Sequence, residues 1–118
     1  MPQSSLGTEP DKQLKVGSSV IVKEGIIDPD DGKNSIAGWC GRIKEIDGEG
    51  HILIAWDSIT IKNMSIRQIK KYEKQGYSWE EMYLSFEDIV SCESRDLPDD
   101  ADRVVAQIIK RHLKKYYY

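Results

Sequence analysis

Between Asp28 and Asp31 the chain carries three carboxylates in four positions, inside the stretch IIDPDDGKNSIAGW that runs from Ile26 to Trp39. Short acidic side chains crowded on a turn suit a hard cation. Calcium takes roughly 6–8 oxygen ligands at about 2.3–2.6 Å, from carboxylates, main-chain carbonyls and water. Asp28, Asp30 and Asp31 offer such oxygens, and the turn around Pro29 and Gly32 frees carbonyls beside them. The same residues are also ordinary turn chemistry, because Asp bonds its own downstream backbone and Gly takes positive φ. On the residues alone both readings stand.

The loop is not an EF-hand. Counted from Asp28, that pattern needs Asp or Asn at the fifth position, Gly at the sixth and Glu at the twelfth. The chain places Gly32, Lys33 and Trp39 there. A calcium site would therefore draw ligands from more than one segment. Asp57, closing the apolar run HILIAW, and Glu80 with Glu81, in the stretch SWEE, are the further candidates. Each has a structural use of its own: Asp57 can cap a strand end, and Glu81 can complete a capping box with Ser78.

Little else in the inventory could carry a reaction. His51 and His112 stand alone, outside HExxH or any zinc spacing. GxSxG, Walker and Rossmann patterns do not occur, and the glycines of GWCG do not open a helix after a strand. Cys40 and Cys92 lack CxxC spacing and read as small buried side chains of a reduced, cytoplasmic protein. A non-enzyme is the expectation.

The elements that must position these carboxylates fit in one domain. With 118 residues, 39% of them hydrophobic and 31% charged, the chain can bury one modest core and stay soluble. It has no apolar run near the roughly 20 residues that cross a bilayer. The opening MPQSSLGTEPDK lacks the apolar centre of an export signal. The net charge of −3 is uneven. Residues 24–57 hold eight acids against three bases, and residues 77–100 hold eight against Arg95 alone. Such a field favours cations or basic partners and disfavours nucleic acid. The basic end KRHLKKYYY, where bases alternate with aromatics, is the local exception.

Residues 1–13 read as a flexible lead-in, 14–98 as a folded domain, and 99–118 as a helix packed on that domain. VIV in LKVGSSVIVK predicts a strand, and DGEG at 47–50 a hairpin turn into the strand HILIAW. Alternation of Ile59 and Ile61 extends that strand through ITIKNM. IRQIKKYEKQG predicts a helix stopped by Gly76. SWEE predicts a new helical start, and YLSFEDIVSCE one returning strand. Val104, Val105, Ile108, Ile109 and Leu113 give the last helix an apolar stripe, with acids at its start and bases at its end. Short strands, tight turns and the strand glycines Gly38 and Gly41 predict an α+β fold, a small SH3-like antiparallel β-barrel with inserted helices. The competing arrangement is a small open sheet carrying helices on one face.

The order KVGSSVIVKEGIIDPDD, IAGWCGRIKEI, ILIAWDSITIKNM and IRQIKKYEKQGYSWEEMYL resembles the small cyanobacterial calcium-binding protein family (CcbP-like), from about Lys15 to about Glu93. GWCGRI and WDSITIKNM are its most specific pieces. The resemblance implies a barrel-like domain with attached helices that buffers or senses cytoplasmic calcium through surface carboxylates. Asp28, Asp30 and Asp31 fall on the family's loop between the first two strands, Asp57 in its WDS element, and Glu80 and Glu81 in its WEE-like element. The family is strongly acidic, whereas this chain has a net charge of −3 and ends in a basic helix. An alternative is an SH3-like module that binds a peptide or protein without metal, with Trp39, Trp56 and Trp79 lining a groove. Against it, the same tryptophans can serve as core.

Overall fold

The computed structural model describes residues 14–113, so the lead-in 1–13 and the last five residues lie outside the described part. Its α+β fold is built on one antiparallel sheet of five strands: β1 (Ser19–Val22), β2 (Cys40–Ile46), β3 (His51–Trp56), β4 (Glu81–Ser85) and β5 (Ile89–Ser91). Their spatial order is β4-β3-β2-β1-β5, and the sheet stays open, with β4 and β5 at its edges. The expected closed barrel is therefore not what forms; the open sheet with helices describes the chain.

Alternation sets the sheet's faces. Val20 and Val22 of β1, Ile52, Ile54 and Trp56 of β3, and Met82 and Leu84 of β4 point into the core. β2 crosses β3 so closely at Gly41 that a Cβ there would lie 2.4 Å from the Ala55 carbonyl oxygen. Only glycine fits that crossing, next to the Gly41–Trp56 pair. A register shift between Ile43 and Glu45 then bends β2 toward the DGEG turn.

Three helices cover the core. The segment after Trp56 is not an extension of β3: Asp57 accepts the Thr60 amide and caps α1 (Ser58–Asn63). Ser65 accepts the Gln68 amide and caps α2 (Ile66–Gln75), which Gly76 ends at φ 81°. No helix starts at SWEE. Ser78 takes the Glu80 amide in a bend, Trp79 is buried, and the alternation of Met82, Tyr83 and Leu84 draws the chain into β4. The predicted single returning strand is two, β4 and β5, parted by a 3₁₀ turn at Phe86–Asp88.

Pro98 opens α3 (Pro98–Ile108), with Asp99 and Asp100 in its first turn, and a π turn continues it through Ile109–Leu113. Its apolar stripe lies against α1 and the core edge. Trp56 and Trp79 are core residues, while Trp39 is half-buried with its ring edge-on to Trp56 at 5.1 Å.

Candidate functional site

The acidic loop is tied at both ends by backbone. Ile36 N–H donates to Ile26 O at 3.0 Å, Asp28 N–H to Asn34 O at 2.8 Å, and Gly32 N–H back to Asp28 O at 2.8 Å. Within this frame the three carboxylates do different things. Asp28 is wholly buried. Its Oδ1 accepts the Asp30 amide at 2.7 Å, and its Oδ2 accepts the hydroxyl of Tyr72 from α2. Asp31 is turned outward: its Oδ1 accepts the amides of Lys33 and Asn34, and its Oδ2 the Asn34 side chain. Slight burial pushes its carboxyl up, but these bonds and the Lys71 charge outweigh that and hold it below the ordinary value.

Asp30 is exposed at the lip of the loop, and its carboxylate has no hydrogen-bond or ion-pair partner among the described residues. Partial burial and the charges of Asp28 and Asp31 together push it above the ordinary carboxylate value. The loop therefore carries a negative charge it does not itself compensate.

The other candidates sit elsewhere. Asp57, nine-tenths or more buried, holds Arg95 through Oδ1 to Nη2 at 2.8 Å and Oδ2 to Nε at 2.9 Å, while still capping α1. Glu81 pairs with Lys44 Nζ at 2.8 Å across the sheet. Glu80 is half-buried and its carbonyl accepts the Trp56 amide, a link between β3 and the start of β4. So Asp28, Asp30 and Asp31 share one loop, and Asp57, Glu80 and Glu81 do not join them. Among the described residues no group of three or more His, Cys, Asp or Glu side chains is arranged as a metal cage.

Two further features had no local signal in the sequence. Tyr72 of α2 anchors the loop through Asp28. Cys40 and Cys92, both free thiols, meet on the outer side of the sheet beside Asp57 and Arg95. Burial first, then the charge and hydrogen bond of Cys40, push the Cys92 thiol up to about 11.

A cleft of about 840 Å³ opens between the far side of the acidic loop and helices α1 and α2. Trp39, Gln68 and the bases Arg67, Lys71 and Arg95 line it. No helix among the described residues is long and apolar enough to cross a membrane. No protein-family model, curated protein or solved structure gives a match to this chain.

Proposed function

We propose that this is a non-enzymatic, non-EF-hand calcium-binding domain that buffers or senses cytoplasmic calcium through its acidic loop. The observation that carries the reading is Asp30, an exposed carboxylate with no hydrogen-bond or ion-pair partner among the described residues, held beside the like charges of Asp28 and Asp31, which repel it. A divalent cation relieves that repulsion. Asp30 and Asp31, with loop carbonyls and water, are the direct ligands. Asp28 holds the loop in shape from beneath, through the Asp30 amide and Tyr72. Asp57, Glu80 and Glu81 contribute field rather than coordination. With few charged ligands, affinity falls at the weak end of the calcium-sensor range, a Kd of about 10⁻⁵ M. Residue-resolved NMR during a calcium titration tests this: amides 28–34 shift first and saturate. Shifts confined to other segments, or none, refute it.

The strand order β4-β3-β2-β1-β5, with a 3₁₀ turn between β4 and β5, supports an SH3-like path into which α1 and α2 are inserted. A second reading, a ligand-binding module that needs no metal, is favoured by the cleft beside Trp39. Trp56 and Trp79 take no part in it, because they lie in the core.

A further inference from the structure

The cleft reverses the character of the chain around it. The protein holds 20 acids and 17 bases, yet among the described residues no Asp or Glu lines the cleft, and Arg67, Lys71 and Arg95 do. Arg95 is already neutralised by its two bonds to Asp57. Arg67 and Lys71 are different. They stand one helical turn apart on α2, and neither forms an ion pair among the described residues. Like charges at that spacing repel each other and weaken a helix.

Arg67 is also at the wrong end of its helix. The first turn of α2 has no acidic residue, so the positive end of the macrodipole and the guanidinium add rather than cancel. Positive charge is concentrated where two bases at the start of α2 border an open space. A volume of about 840 Å³ lies within the range of small-molecule sites, about 300–1,000 Å³. Half-buried Trp39 supplies an aromatic surface, and Asn63 and Gln68 supply neutral hydrogen-bonding groups.

We propose that this cleft binds a phosphate-bearing small molecule of mononucleotide size, with Arg67 and Lys71 taking the phosphate and Trp39 the planar ring. The guanidinium suits bidentate phosphate recognition, and the ammonium adds a point charge. None of the proposed calcium ligands lines the cleft, although Lys71 also acts on the Asp31 carboxyl across its lip.

Titration calorimetry of the full chain in excess chelator, with AMP, adenosine and inorganic phosphate as probes, tests the proposal without calcium. AMP is expected to bind saturably with a Kd below about 1 mM, and adenosine and phosphate each at least about tenfold more weakly. Arg67→Glu combined with Lys71→Glu is expected to weaken AMP at least about tenfold. Arg67→Glu improves the helix electrostatics, so circular dichroism and the melting temperature stay at or above the parent's. Absence of saturable AMP binding, unchanged affinity in the double variant, or tighter binding of an acidic peptide than of AMP would overturn it. Phosphate binding as tight as AMP would remove the role given to Trp39.

Discussion

Tyr72 donates its hydroxyl to Oδ2 of Asp28, 44 residues earlier in the chain, and neither side chain reaches solvent appreciably. This bond fastens the acidic loop to α2. It also fixes which carboxylates can turn outward, since Asp28 Oδ1 is occupied by the Asp30 amide. Removing the hydroxyl leaves a buried carboxylate oxygen without its donor, which costs about 1–3 kcal/mol. Tyr72→Phe is therefore expected to lose about that much stability in urea denaturation, with the strand and helix content unchanged. A loss under about 0.3 kcal/mol would mean that the bond does not hold the loop.

The same contact has a signature at high pH. Burial, then the bond to Asp28 and its charge, raise the Tyr72 phenol well above its ordinary value of 10.0. Because the folded value is the higher one, the stabilisation is complete below pH 10 and is lost as pH rises past it. Absorbance titration should show at least one tyrosine that fails to ionise with the exposed ones until the fold opens. Ionisation of every tyrosine near pH 10 in folded protein would contradict this environment.

Asp57 ties the end of β3 and the start of α1 to the segment after β5. The carboxylate caps the Thr60 amide at 2.8 Å and grips Arg95 in a fork, with only 5% of its side chain exposed. Asp57→Ala removes a cap and leaves the guanidinium without its partner, for an expected loss of about 3 kcal/mol. Arg95→Ala strands the buried Asp57 and is expected to cost nearly as much. Denaturation of both single variants and the double variant reads the coupling directly, and fully additive losses would show that the two side chains act independently.

How far the sequence could be read depends on the range of each interaction. β1, the DGEG hairpin, the Gly76 stop of α2 and the acidic start of α3 are all written in neighbouring residues, and they form as expected. At ITIKNM two local signals compete. The alternation of Ile59 and Ile61 suggests a strand, but Asp57 three positions before Thr60 is a helix cap, and the cap prevails. At SWEE the capping-box pattern loses to burial, because Trp79, Met82 and Leu84 gain more as core than a short helix would return. The acidic loop was visible from its composition. Its division of labour was not, since Tyr72 and Arg95 meet their aspartates 44 and 38 residues away.

Asp30 is the residue on which calcium binding depends most, and its charge makes opposite demands on stability and on binding. With its carboxyl raised above the ordinary 3.8, first by burial and then by Asp28 and Asp31, the folded state holds the Asp30 proton more tightly than the unfolded chain does. Stability is then lost as pH rises through that value, and at neutral pH the charge opposes folding. Calorimetric titration of calcium into metal-stripped parent and Asp30→Asn protein, with excess magnesium at near-physiological salt, is the most direct test. Saturable binding by the parent is expected, with at least about tenfold weaker binding by the variant and a metal-free melting temperature about 1–2 °C higher in the variant. Equal calcium affinity in the two proteins, or heat no larger than the buffer blank in the parent, would contradict calcium binding through Asp30.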